Sequence, residues 1–358
     1  MAAEAEGGIA QRRMHNQRLW GPGFGTAAEV VAWLVAMQAQ EFPVAKWSVA
    51  QRARNIDNSA VDEAFADGSI LRTHILRPTW HFVGRDDLRW LLALSAPRVH
   101  ALNALYYRRT ELDGELLATS ESVLTRALHG RQLTRAEVAV ELDRAGVTAS
   151  GLRLAYILMH AELEAVVCSG APRGKQQTYA SFDERVPPAS ARHRDDALAE
   201  LTARYFTSRG PATVKDFARW CSFTLGDARA GLEMVQSQLQ HEVVDGRTYW
   251  FAPSSTIEAP TSPVVDLVQG YDECIMSYSE SKDVLREPAA AGDPTVPFNH
   301  AVLLDGHVIG HWRHAPKAKA VTIETRLYRD LDRREARALD DAIERYGAFL
   351  GVTVGRLP

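Results

Sequence analysis

Two glutamines separated by one alanine, Gln38-Ala39-Gln40, close an apolar stretch that opens at Val31 and runs into Pro43. A carboxamide is a poor base, but it carries one acceptor oxygen and two donor hydrogens. Two of them aimed at one point hold and orient a water molecule without titrating. On a regular helix, residues two apart face different directions. Pro43 restricts the residue before it, so the helix is predicted to end at or before Phe42. Gln40 then falls in a fraying last turn, where the neighbouring amides can converge. The alternative reading is two solvated polar residues at a helix end, since glutamine is mostly exposed.

Other chemistry-bearing residues are fewer. The chain has no GK[ST], HExxH or GxSxG sequence, and Gly21-Pro-Gly-Phe-Gly25 reads as a turn, because Pro22 removes a donor that a phosphate would need. His74 and His81 share one extended stretch but lack a third metal partner, which favours hydrogen-bonded structural histidines. His81 and its neighbour Trp80 are also candidates for touching nucleic acid. Basic residues gather locally: Arg108 and Arg109 after two tyrosines, Arg173 and Lys175 at an expected hairpin tip, and Arg313, Lys317 and Lys319 after Trp312, with His307 just upstream. Each group is either a solvated face or part of one positive groove contacting phosphates, whose affinity would fall steeply with salt.

Composition sets the frame. The 358 residues are 46% hydrophobic and 24% charged, ordinary globular values with room for two or three domains. No run of eighteen apolar residues occurs, so no membrane span is expected. The first residues lack an apolar signal segment, and residues 1–8 are expected to be disordered. Cys168, Cys221 and Cys274 are scattered without CxxC spacing, which fits buried thiols in a reducing cytoplasm rather than disulfides or a zinc site. The net charge of −4 does not by itself point to nucleic acid, although a local basic face would suffice.

The elements that must position these residues repeat. Three times the pattern predicts a helix, a short capped helix, a longer helix and an extended pair. The short helices follow Pro43, Thr134 and Thr213; Thr134 with Glu137 has capping-box spacing and Thr213 with Asp216 approximates it. Val138, Val140 and Leu142 in the second, and Val214, Phe217 and Trp220 in the third, are expected to face inward. Longer helices are predicted near residues 59–69, 150–165 and 225–239, each followed by β-rich sequence. Asp245-Gly246 and Asp305-Gly306 mark hairpin turns. Residues 183–194 read as a linker and residues 252–263 as a Pro/Ser loop. Beyond it come β segments and an amphipathic helix from about Asp332 to Leu350, with Ala336, Leu339, Ile343 and Tyr346 inward. The expected fold is α+β: winged helix-turn-helix units at 9–112, 113–190 and 191–258, and an antiparallel β/α unit at 259–358.

Tandem winged helices, the early Gln-x-Gln, the Arg77-Pro-Thr-Trp-His81 stretch and the late Asp305-Gly-x-x-x-Gly-x-Trp-Arg313 stretch together resemble the HTH_42 superfamily of DNA glycosylases over residues 9–358. Gln38-Ala39-Gln40 matches its AlkZ-like branch, whereas Gln-x-Asp marks the YcaQ-like branch. The resemblance implies a C-shaped monomer with a basic concave cleft that binds double-stranded DNA. It implies metal-free, cofactor-free, monofunctional excision of N7-alkylated purines, including azinomycin-type interstrand crosslinks, with Gln38 and Gln40 catalytic. The hairpin around Asp305–Arg313 is then expected to approach a DNA groove. Two rival readings are a non-enzymatic winged-helix regulator and a drug-sequestering protein using Trp33, Trp47 and Trp80. Acidic residues on the candidate recognition helices (Asp62, Glu63, Asp67, Asp227, Glu233) argue against the regulator.

Overall fold

The computed structural model describes residues 8–253, 261–285, 300–317 and 320–357. The expected disorder of residues 1–7, most of the Pro/Ser loop and Lys319 lie outside them.

The first quarter contains α1 (Ile9–Asn16), α2 (Ala27–Leu34), β1 (Ala36–Gln38), α3 (Phe42–Ala50), α4 (Asn58–Ala66), β2 (Ile70–Ile75), β3 (Arg77–Gly84) and the long α5 (Arg85–Arg109). Next come α6 (Gly114–Leu128), β4 (Leu133–Thr134), α7 (Arg135–Arg144), α8 (Gly151–Leu163), β5 (Val167–Ser169), β6 (Thr178–Ser181) and α9 (Phe182–Arg185). They are followed by α10 (Arg194–Arg209), α11 (Val214–Cys221), α12 (Leu225–Val235), β7 (Gln240–Val244) and β8 (Arg247–Phe251). The last part holds β9 (Val265–Val268), α13 (Glu273–Met276), β10 (His300–Leu304), β11 (His307–Lys317), β12 (Ala320–Leu327), α14 (Arg333–Leu350) and β13 (Thr353–Leu357).

Three helices and an antiparallel pair thus recur in the order read from the sequence. The capping boxes form: the Thr134 hydroxyl accepts the Glu137 N–H and the Thr213 hydroxyl accepts the Asp216 N–H, each with the reciprocal bond from the acid. Val138 and Leu142 are buried, but Val140 is exposed, because on a 3.6-residue helix it points away from the stripe they define. Two of the pairs gain a third strand that the sequence reading did not foresee. The sheets run β1-β3-β2 and β4-β6-β5, while β7-β8 stays two-stranded. The last sheet is five-stranded, β13-β12-β11-β10-β9, antiparallel except for the β12·β13 pair.

One apolar core spans the first three groups, and a second joins α2, α3 and α4 to the five-stranded sheet and α14. In the second, the Tyr346 ring meets Trp47 and Trp312, each at 5.2 Å between centroids. Trp47 therefore packs in this core. The three cysteines are buried free thiols, and among the described residues no helix is long and apolar enough to cross a membrane.

Candidate active site

The helix that was expected to carry the glutamines stops early. α2 ends at Leu34, and Val35 takes φ 63° and ψ −53°, a γ-turn region that a right-handed helix cannot enter. Ala36–Gln38 then continue as a strand. Pro43 does not end this helix; it sits in the first turn of the next one, α3, where a missing N–H costs nothing. The strand carries Gln38 alone, and Gln40 lies two residues further on, past its end. Gln38 lies opposite His81 in the β1·β3 ladder, and the Ala39 N–H donates to the Trp80 carbonyl at 2.7 Å.

Residues remote in sequence fix β1 in place. The Gln38 N–H donates to Glu273 Oε1 at 2.8 Å, and Arg209 Nη2 donates to the Ala36 carbonyl at 2.8 Å. Arg209 and Glu273 are themselves a buried ion pair at 2.8 Å, and Trp220 Nε1 and the Ser277 hydroxyl also donate to Glu273 Oε2. Burial pushes the Glu273 carboxyl up, but the guanidinium groups of Arg209 and Arg77 outweigh it and the net shift is downward. Gln269 Nε2 reaches the Gln38 carbonyl at 3.4 Å.

The Gln38 side chain is 5% exposed, and its Oε1 accepts from Arg77 Nη2 at 2.9 Å. Arg77 Nη2 also lies 3.0 Å from His81 Nε2, while His81 Nδ1 lies 2.8 Å from the Thr79 carbonyl. A carbonyl only accepts, so Nδ1 carries the proton and Nε2 accepts from Arg77. Burial, reinforced by Arg77, drives the His81 pKa well down, consistent with this neutral tautomer. Arg77 therefore sets the orientation of the Gln38 amide, with its NH2 group turned away from the guanidinium. Arg77 Nε and Gln269 Oε1 are buried with no hydrogen-bond partner among the described residues, leaving a donor and an acceptor beside Gln38.

Gln40 is exposed, and its Oε1 accepts from the Trp80 N–H at a long 3.4 Å. Arg72 steadies its backbone, donating to the Ala39 carbonyl at 2.9 Å and the Gln40 carbonyl at 3.3 Å while lying 4.4 Å from the centre of the Trp80 ring. Burial pulls the Arg72 pKa down to about 10. Arg72 and Trp80 also line a cavity of about 650 Å³ whose far wall comes from α7, α8 and β6, including Arg135, Leu154 and Tyr179.

The residues expected to touch DNA divide. Trp80 is half-buried on the cavity wall, and Arg173 and Lys175 are exposed between β5 and β6, as expected. Arg173 is already paired with Glu137 at 2.8 Å. Two expectations fail. His81 is completely buried in the sheet, holding Arg77, and Trp312 is completely buried in the second core; neither surface is available to a duplex. The Asp305-Gly306 turn forms, but Gly306 packs against Ala10 and Met14 of α1, so this end of the hairpin is seated on protein. His307 beside it is half-buried, and exposed Arg313 pairs with Glu324 across the sheet. Lys317 is the last residue of β11, at the strand's other end. His74 is a hydrogen-bonded structural histidine, 2.5 Å from Glu162.

The sequence reading did not single out Glu273, Arg209 or Gln269, and it named Arg77 only as the first residue of the Arg77–His81 stretch. A signal existed for one: Asp272-Glu273 is the only charged pair in the otherwise uncharged run 267–279, and such acids are buried only when paired. Its partner lies 64 residues away and could not be named.

The family model of AlkZ-like DNA glycosylases matches residues 31–349, a span that includes both glutamines and Glu273. The chain belongs to this family. It is a DNA glycosylase, and the regulator and drug-sequestering readings give way to the enzymatic one. The interstrand DNA cross-link repair glycosylase of Streptomyces sahachiroi is 25% identical, over 97% of this chain and 96% of that protein. The solved structure of the Streptomyces sahachiroi DNA glycosylase AlkZ superposes with a TM-score of 0.78 at 21% identity, covering 98% of each chain, so the AlkZ-like fold is shared throughout.

Proposed function

We propose that this glycosylase hydrolyses the N-glycosidic bond of N7-alkylated purines in double-stranded DNA, including interstrand crosslinks of the azinomycin type, and acts as a monofunctional monomer. The observation that supports the reading is the pair of carboxamides themselves: Gln38, buried at the end of β1 and oriented by Arg77, and exposed Gln40 two residues on, in contact with Trp80, which lines a cavity. Cross-link repair is the named role of the Streptomyces sahachiroi relative, which aligns over nearly the whole chain.

An N7-alkylated purine carries a positive charge and leaves as a neutral base, so the protein need not supply a strong acid. What is left is to set a water beside C1′ as the sugar takes on oxocarbenium character, a task of positioning and electrostatics. Gln40 Oε1, held only by a long contact, accepts a water hydrogen; the Gln38 NH2 group, turned outward by Arg77, fixes the water's position. Neither amide titrates near neutral pH. The threefold recurrence of helices followed by a hairpin supports winged-helix units at 9–112, 113–190 and 191–258 and a C-terminal unit at 259–358; the arrangement proposed for them is a C-shaped cleft. Trp80, Arg173, Lys175, His307, Arg313, Lys317 and Lys319 remain the proposed DNA contacts.

The test is single-turnover base release from duplexes containing N7-methylguanine or an N7–N7 crosslink. The wild type is expected to release free modified base and leave heat-labile abasic sites. Gln40→Ala is expected to lower the rate by about 10²-fold or more, the scale of losing one positioned catalytic group, with DNA affinity within about twofold. Equal losses in binding and release would make the glutamines contacts only. An absence of released base from the wild type would remove the N7-alkylpurine reading.

A further inference from the structure

Away from β1, a second cluster of chemistry-bearing side chains joins three helices. His100 lies on α5, Glu121 on α6, and His160 on α8, one turn before Glu164 at that helix's C-terminal cap. His160 and Glu164 are four residues apart and therefore share a helix face. One ligand atom from each of His100, His160 and Glu164 lies within 4.8 Å of the others. His100 Nε2 is 3.0 Å from Glu164 Oε1, and His160 Nδ1 is 3.0 Å from Glu121 Oε1. The two imidazole rings lie 4.9 Å apart.

Among the described residues, His100 Nε2 and His160 Nδ1 are buried atoms with no hydrogen-bond partner. A cation placed between these ring nitrogens and carboxylate oxygens would be coordinated by both kinds of atom. The other nitrogen of His100, Nδ1, lies 2.8 Å from the Tyr107 hydroxyl, the outer hydrogen bond that metal-bound histidines usually keep.

We propose that His100, His160 and Glu164, with Glu121 as fourth donor, form a binding site for a divalent cation of the zinc class that ties α5, α6 and α8 together. Two imidazoles and two carboxylates suit a borderline ion in tetrahedral geometry, with metal–nitrogen and metal–oxygen distances of about 2.0–2.2 Å. They do not suit magnesium, which takes an octahedral oxygen shell. The four side chains are 15–48% exposed, so an ion has an entry path from solvent. None of the three helices carries Gln38 or Gln40; the site is structural and separate from base excision.

The experiment uses untagged full-length protein stripped with chelator, titrated calorimetrically with Zn²⁺, then Co²⁺ and Mg²⁺. The expected result is one tight equivalent of Zn²⁺, visible d–d absorption with Co²⁺ typical of four-coordination, a rise in Tm on binding and no effect of Mg²⁺. His160→Gln and Glu164→Gln are each expected to weaken Zn²⁺ by at least about 100-fold, and Tyr107→Phe by about 10-fold, the scale for losing an outer partner. Tm in chelator reports whether each variant folds. If His160→Gln fails to fold, Glu164→Gln decides, since that carboxylate is half-exposed. A wild type that takes up no Zn²⁺ equivalent, or unchanged affinity in a folded variant, overturns the site.

Discussion

The Gln38 backbone N–H donates to the Glu273 carboxylate at 2.8 Å, although 235 positions separate the two residues. The same carboxylate pairs with Arg209, which grips Ala36 at the other end of β1. The three-residue strand is thus clamped at both ends by one buried ion pair. Glu273→Gln is expected to destabilise the protein by about 3 kcal/mol, because it leaves Arg209 buried without a counter-charge. Chemical denaturation measures this; a loss below about 1 kcal/mol would mean the pair is dispensable to the strand. The pH dependence follows the lowered Glu273 pKa: its contribution is complete above the ordinary value of 4.5 and is lost as pH falls through the depressed folded value. Glu273→Gln removes this component of acid sensitivity.

His81 gives a second pH dependence with the same direction. Burial and Arg77 depress its folded pKa, so the unfolded chain takes up a proton first. Its contribution is present above pH 6.5 and is lost at about 1.4 kcal/mol per pH unit below it. Comparing urea midpoints of the wild type and His81→Gln between pH 7.5 and 5.5 reads this directly. Parallel curves would show that His81 is protonated in the folded protein.

The two glutamines differ in what their loss does to the fold. Gln38 is buried and satisfies Arg77, so Gln38→Ala is expected to cost about 1–3 kcal/mol of stability. Gln40 is exposed, and Gln40→Ala is expected to change stability by less than about 0.5 kcal/mol. Thermal melts beside the base-release assay separate a lost amide from a loosened site. A large Tm drop for Gln40→Ala would contradict the geometry.

The tip between β5 and β6 offers a test of the DNA footprint. If Lys175 meets a phosphate, Lys175→Ala reduces the salt slope of duplex binding by about 0.9. Arg173 is expected to contribute less, because binding must break its pair with Glu137 at 2.8 Å. Filter binding from 50 to 200 mM salt checks both, and unchanged slopes would take this tip off the duplex.

Local signals in the sequence were reliable where the cause is local. Thr134 and Thr213 cap their helices through acids three residues on, and Asp245-Gly246 turns β7 into β8 as its positive-φ pair requires. That the helix stops at or before Phe42 was legible, but not where or why. The apolar run before Gln38 has no breaker, and the stop comes from Val35, whose backbone is imposed by packing. His81 and Trp312 illustrate the other limit. Both carry polar handles suited to a nucleic acid, and both are consumed inside: His81 by Arg77 and Thr79, Trp312 by the Val268 carbonyl. Nothing in a linear pattern separates a buried satisfied ring from an exposed one.

Val35 itself carries a consequence. A β-branched residue resists the backbone region it occupies, and only its complete enclosure by neighbouring apolar side chains keeps it there. Should that enclosure slacken, residues 35–40 would relapse into the helical register their sequence favours. At about 100° of rotation per residue, the two carboxamides would then swing roughly 200° out of phase. The path of the backbone through Gln38-Ala39-Gln40 is therefore a property of tight interior packing, not of the tripeptide. Interior substitutions around Val35 are expected to silence turnover at temperatures where the molecule still melts as one cooperative unit.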